Sequence, residues 1–356
     1  MSGPAAYQVP TDPPAQDPTP LFEYFRGSYQ TELLVAALVE FRLFARLAGG
    51  PRTTDALRAE LGLQARPFHV LLTAVRAMGL VGPAGPDAWQ LTELARAHLL
   101  EGSPYDVGAY FSRAAESPGA RELVARLRSN RPRGSAEEER GVGFLFRDGL
   151  KSAMEEAEEA RRFTLMLAGR AKNVAPVLAE RLPLAGARRL LDVGGGTGIY
   201  ALAFLRRNPE LRAVVWDRPE VLKVAADYAA PSGVADRLEL VAGDMFRDPV
   251  PAGADVLLLS NVLHDWDEAE ARAIVRRCAA ALPAGGRLLV HDVLLDDDGG
   301  GPLAAAMYSA HLFMVTEGRL YRGAEYRGWL EAEGVAVTER IPTLVHASVL
   351  VGVKRG

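Results

Sequence analysis

His264 stands between a predicted strand and a predicted helix in LSNVLHDWDEAEA, residues 259–271. An ordinary pKa of about 6.5 lets a histidine accept a proton near neutral pH. Proton removal from a hydroxyl is the chemistry it offers, provided that the reacting atoms are held in line. Asp292 ends a later predicted strand, where its carboxylate can orient an imidazole and stabilise its cation. His291, the neighbouring residue, points to the other face of that strand and is the weaker choice of base. Three further acids, Asp192, Asp217 and Asp244, end three successive predicted strands.

Asp192 opens the stretch DVGGGTG, residues 192–198. Glycines between a strand and a helix allow a tight turn and let a ligand approach the backbone. Gly196, Gly198 and Ala201 fit the dinucleotide pattern G-x-G-x-x-A, and Asp217 stands about 20 residues on, so the glycines leave an NAD dehydrogenase open. The acids favour S-adenosylmethionine (SAM), with S-adenosylhomocysteine as product. A carboxylate at Asp192 suits a cationic amino-acid group and would repel a pyrophosphate. Asp217 can hold ribose hydroxyls. Asp244, with Met245 and Phe246 beside it, can bond an adenine amino group and sandwich its ring. The plainer roles for these acids are a helix cap at Asp217 and a turn at Asp244.

These residues need a parallel sheet with its carboxyl ends on one side. From Ala187 onward strands and helices alternate, which predicts an α/β, Rossmann-like, doubly wound domain over 186–356. VAVTERI and ASVLVGVK near the end are joined too closely for a crossover helix, so one of them should be antiparallel. Asp267 should cap the helix after His264, with Glu270 completing a capping box. Cys278 falls on the apolar stripe of that helix and reads as a buried structural thiol.

The N-terminal part is helical. Residues 1–20 hold six prolines and read as a disordered tail. Over 21–102 the order is helix, turn, helix, hairpin, the outline of a winged helix. One helix spans TTDALRAELGL, with Thr53 or Thr54 as cap and Gly62 as stop. The next, Pro67 to Leu80, carries Arg76 as its one basic residue beyond His69, so dimerisation or pocket covering suits the module better than DNA binding. Residues 103–185 read as a helical linker and substrate-pocket region. A helix from about Lys151 to Ala171 has Met154, Phe163, Met166 and Leu167 near one face. Pro176 and Pro183 interrupt the stretch after it, and SAEEER at 135–140 is solvated surface.

The net charge of −4 disfavours a general phosphate-backbone binder. A single cysteine excludes an intramolecular disulfide and suggests a cytoplasmic setting. No apolar run is long enough for a membrane span, no signal peptide is expected, and no metal site is predicted.

DVGGGTG, VVWDRPEV (214–221), GDMF (243–246), LHDW (263–266) and GRLYRGAEYRGWL (318–330) resemble the SAM-dependent small-molecule O-methyltransferases. That class modifies plant phenylpropanoids and bacterial polyketides, and acetylserotonin methyltransferase is similar. The resemblance covers about residues 21–356. It implies that Asp192, Gly194 and Gly196 lie on the methionine-binding loop, Asp217 on ribose, and Asp244, Met245 and Phe246 on adenine. It implies His264 as general base, Asp292 as the acid flanking it, and an intertwined homodimer formed by the N-terminal domain. Ser260 belongs with the cofactor contacts, at a place where plant members often have Lys. Leu320 stands where many members have a Glu supporting the histidine, with Glu317 and Glu325 nearby but unaligned. His311 replaces a usual Asp. The expected acceptor is a small aromatic or polyketide-like molecule in a pocket between the domains, lined by Phe163, Met166, Met307, His311, Phe313 and Met314. SAM-dependent relatives with other chemistry (C-methylation, hydroxylation, decarboxylation, pericyclic reactions) and a DNA-binding ligand sensor are the alternatives.

Overall fold

The computed structural model describes residues 7–135, 152, 154 and 156–356. The described residues fall into two compact units. One lies within Glu23–Glu139 and Leu295–Arg322, the other within Met1–Phe22, Arg140–Leu294 and Gly323–Gly356.

The first unit contains β1 (Arg52–Thr53), α1 (Thr54–Leu61), α2 (Ala65–Ala77), β2 (Val81–Gly85) and β3 (Ala88–Leu91). The three strands pair in the order β1-β3-β2. Thr53 caps α1 by accepting from the Ala56 N–H, and Gly62 ends it at φ +66°. On α2, Phe68, Leu71, Leu72 and Val75 are buried. Both arginines of α2 are engaged within the unit. Arg76 lies over the Trp89 ring at 4.3 Å, and Arg66 lies over Phe313 at 4.4 Å while donating to Asn130 and to the Thr316 and Gly318 carbonyls. A helix α3 (Pro118–Ser129) is capped by Ser117.

The second unit holds α4 (Ala157–Arg181), β4 (Arg189–Val193), α5 (Ile199–Arg207), β5 (Arg212–Asp217), α6 (Pro219–Ala229), β6 (Leu238–Ala242), β7 (Val256–Ser260), α7 (Glu268–Ala281) and β8 (Arg287–Val293). The chain then supplies α8 (Leu303–Val315) to the first unit. It returns with α9 (Gly323–Ala332), β9 (Val335–Pro342) and β10 (Ala347–Lys354). The strand order is β6-β5-β4-β7-β8-β10-β9. Pairings from β6 to β8 are parallel, and β10 runs antiparallel to both β8 and β9. Central strands such as VLLLS and RLLVHDV are buried on both faces because helices cover both.

Three expectations about organisation need correction. The tail is packed from Tyr7 onward: Val9 is buried, its carbonyl accepts from Arg206 at 2.6 Å, and Tyr7 meets Tyr228 edge-on at 5.2 Å. Pro176 does not interrupt the chain but lies inside the 25-residue helix α4. Its flanks Ala175, Val177 and Leu178 are buried, and that packing outweighs the one main-chain hydrogen bond that proline removes. Residues 186–356 are not one continuous domain, since Leu295–Arg322 belongs with the N-terminal unit. Its helix α8 is buried nearly all round and packs on α2. The expected helix start at Lys151 and most of SAEEER lie outside the described residues.

Candidate active site

A cavity opens at the carboxyl ends of β4, β5, β6 and β7, where the strand order reverses between β4 and β7 and leaves a crevice. Asp192 forms its floor and is 1% exposed. Neither of its carboxylate oxygens reaches hydrogen-bonding geometry with another protein group among the described residues. Burial first, and the charge of Asp217 second, push its carboxyl up to about 8, with the Ala201 main-chain N–H acting weakly the other way. The space for this carboxylate depends on Gly195, where an added Cβ would stand 2.7 Å from the Asp192 Cγ.

Gly194, Gly196 and Gly198 all have positive φ, so the loop turns in a conformation that side chains disfavour. An added Cβ at Gly194 would lie 3.2 Å from Met245 Cε. Asp217 does not cap the following helix. It accepts instead from the Gly196 N–H at 2.8 Å and the Arg218 N–H at 2.7 Å, while burial raises its pKa. Asp244 makes the expected turn, accepting from the Phe246 N–H at 2.8 Å, and pairs with Arg218 at 3.1 Å. Met245, Phe246 and Trp266 line the same cavity, with the Phe246 and Trp266 rings edge-to-face at 4.5 Å.

The donor set fits SAM. A buried carboxylate at Asp192 with no cation paired to it among the described residues matches an ammonium group and opposes a pyrophosphate. Arg170 lines the cavity too, and its charge acts on Tyr200 and Asp265, so the site also offers a cation to a carboxylate. Asp217, Met245 and Phe246 line the same cavity and give it a hydroxyl-binding acid and ring-covering groups.

His264 sits in the short turn Leu263–Asp265 between β7 and α7 and is 2% exposed. Asp267 caps α7 as expected, accepting from Ala269 and Glu270 N–H, which fixes where the turn ends. Asp292, at the end of β8, accepts from His264 Nδ1 at 2.5 Å. With Nδ1 as donor to Asp292, Nε2 is the acceptor nitrogen of the neutral ring. The Val293 N–H donates to the same Asp292 oxygen at 2.7 Å, and the Tyr326 hydroxyl donates to the other at 2.9 Å. Burial opposes the charge of Asp292, yet His264, Tyr326 and Val293 together hold its carboxyl below the usual range. Asp265 lies 3.6 Å from Nε2 and lines the cavity. Burial pushes its carboxyl up to about 6 against the pull of His264.

His291 faces the other way, as expected. It bonds Ser260 Oγ at 2.9 Å and Thr343 Oγ1 at 3.1 Å, and burial lowers its pKa to about 4. Ser260 therefore lines the cavity while holding His291. Cys278 is buried, and its thiol is pushed up to about 12.

The acceptor-side expectations fare differently. On α4, the cavity is lined by Thr164, Leu167, Arg170 and Ala171 rather than Phe163 and Met166. Phe163 packs on Met154, Ala160 and Val221, and Met166 is 61% exposed. Of the predicted stripe, Met154 and Leu167 line the cavity, whereas Phe163 and Met166 do not. In the first unit, Met307, Phe313 and Met314 are fully buried and present no surface. His311 lies among Phe25, Tyr29 and Tyr308, with Tyr308 stacked at 6.0 Å. Leu320 is buried and brings no acid, its N–H bonding Ser309 Oγ. Tyr326, Asp265, Arg170 and Tyr200 escape a reading of the sequence. The signal for Tyr326 is a polar-tipped aromatic on the inner face of an amphipathic helix, beside Trp329 and Leu330, whose hydroxyl needs a buried partner.

Among known proteins, the O-methyltransferase domain family matches residues 122–336. The chain is 35% identical to 3-hydroxy-5-methyl-1-naphthoate 3-O-methyltransferase of Streptomyces sahachiroi, over 91% of each chain. It is similar to the crystal structure of an O-methyltransferase family 2 protein from Planctomyces limnophilus in complex with apigenin (TM-score 0.85, 43% identity, 98% of each chain). Human N-acetylserotonin methyltransferase in complex with SAM is more distant, at TM-score 0.59 and 25% identity, over 94% of this chain and 97% of that one.

Proposed function

The chain belongs to the O-methyltransferase family and is a SAM-dependent enzyme, and from that premise we propose that it methylates a hydroxyl of a small aromatic or polyketide-like molecule, with His264 as general base. Bound SAM supplies the electrophilic methyl group. Asp192 holds its ammonium end, Arg170 its carboxylate and Asp217 its ribose. Asp244, Met245 and Phe246 cover the adenine. His264 Nε2 takes the proton of the acceptor hydroxyl, while Asp292 on Nδ1 keeps the ring in the tautomer that leaves Nε2 unprotonated and stabilises the imidazolium that forms. Asp265, ionised above pH about 6, adds a second negative charge near Nε2.

The observation that carries the base assignment is the buried 2.5 Å bond between His264 and Asp292. Relatives that act on a hydroxynaphthoate and bind a flavone support a flat, phenolic acceptor. The active protein is a homodimer formed through residues 21–102. His264→Ala lowers kcat by about two orders of magnitude or more, the scale of a general base. Calorimetric SAM affinity stays within about twofold, because His264 is not placed among the cofactor's polar contacts. Unimpaired turnover in that variant rules the base role out.

A further inference from the structure

Asp292 can orient His264 only if its own rotation is fixed. A carboxylate has a soft terminal torsion, and two of its rotations present either oxygen to the imidazole. Here one oxygen takes two donors, His264 Nδ1 at 2.5 Å and the Val293 N–H at 2.7 Å. The far oxygen takes the Tyr326 hydroxyl at 2.9 Å. Tyr326 comes from α9, is 1% exposed, and has its ring held edge-on to Trp329 at 5.3 Å. A Phe would fill the same space, so the hydroxyl is present for its hydrogen bond rather than for packing. No acid reaches this pair from position 320, which is Leu.

We propose that Tyr326 is a positioning residue for methyl transfer: its hydroxyl pins Asp292 in the rotation that keeps Oδ1 on His264. The inference rests on the base role proposed for His264. Removing the hydroxyl leaves one oxygen of a buried carboxylate without that donor. The charge then concentrates on the oxygen facing the imidazole, so the protonated imidazole is held more tightly, and misrotated states become populated.

The test compares wild type with Tyr326→Phe, Asp292→Asn, the double variant and His264→Ala, at a temperature where all are folded by circular dichroism. For Tyr326→Phe we expect kcat to fall about tenfold, a fraction of the roughly 10²–10⁴ that a general base supplies. KM for both substrates should stay within about twofold, and the acidic limb of the kcat profile should move to higher pH. In the Asp292→Asn background the same change should add almost nothing, because the hydroxyl acts through that carboxylate. A wild-type kcat and an unmoved limb overturn the proposal. So does an equal loss in both backgrounds, which would mean that Tyr326 acts elsewhere. Active His264→Ala enzyme would instead sink the base assignment itself, whatever Tyr326→Phe does.

Discussion

At the scale of the residue, the most informative atoms are the two oxygens of Asp192. They are buried away from other side-chain partners among the described residues, and burial pushes the carboxyl up to about 8, which favours the protonated form in the ligand-free protein at pH 7. The folded value lies above the unfolded one, which sets the sign of the effect on stability. The contribution of Asp192 to stability is complete below the ordinary carboxyl pKa, about 4, and is lost as pH rises through about 8. An arriving ammonium group reverses the preference and expels the proton. Calorimetry of SAM binding at pH 7, in buffers of different ionisation enthalpy, should therefore register proton release that Asp192→Asn abolishes. That variant should bind SAM roughly 10- to 100-fold more weakly, the scale of a lost hydrogen-bonded charge. At pH 8 it should also melt several degrees higher than wild type without ligand. A wild-type SAM affinity for Asp192→Asn would remove Asp192 from the cofactor site.

At the scale of the element, what the sequence announces is what it encodes locally. Thr53, Gly62 and Asp267 act on N–H and C=O groups within their own turns, and each stands where the spacing predicts. The alternation after Ala187 is legible for the same reason, because each strand and helix carries its own period. Pro176 misleads because its local cost is outweighed by packing along α4. That Leu167 and Thr164 line the cavity while Phe163 packs on Met154, Ala160 and Val221 is a choice between faces of a helix that is buried on more than one side. The Tyr326–Asp292 bond spans 34 residues and joins a helix to a strand end, a relation that no local pattern contains. The same region supplies an element-scale test at β10. Gly352, on β10 between its neighbours β8 and β9, sits at a register shift in the pairing with β9, and an added Cβ would stand 2.5 Å from Val335 Cγ1 and 3.2 Å from the Leu288 carbonyl. Gly352→Ala should lower unfolding stability by about 1–3 kcal/mol, the usual cost of overpacking, as read from the urea midpoint. An unchanged midpoint would mean that the strands part easily there.

At the scale of the whole molecule, the first unit exposes large apolar side chains, with Tyr24 at 82%, Phe25 at 59% and Tyr110 at 84%. A mildly acidic chain with a net charge of −4 has little charge repulsion to keep such surfaces apart. Sedimentation equilibrium should accordingly give twice the chain mass of 38.3 kDa, and a monomer at micromolar concentration would defeat the homodimer proposal. After β8 the chain makes an excursion whose two ends adjoin. Leu295 and Arg322 pair side by side, and the Leu295 N–H donates to the Tyr321 carbonyl at 3.1 Å, so the excursion leaves and returns at one doorway. Loops with adjoining ends tolerate changes of length at small entropic cost, about 0.6 kcal/mol per doubling. The turns on either side of α8 can thus change in length, while α8 itself, the strand that bears Asp292 and the helix that bears Tyr326 keep their places.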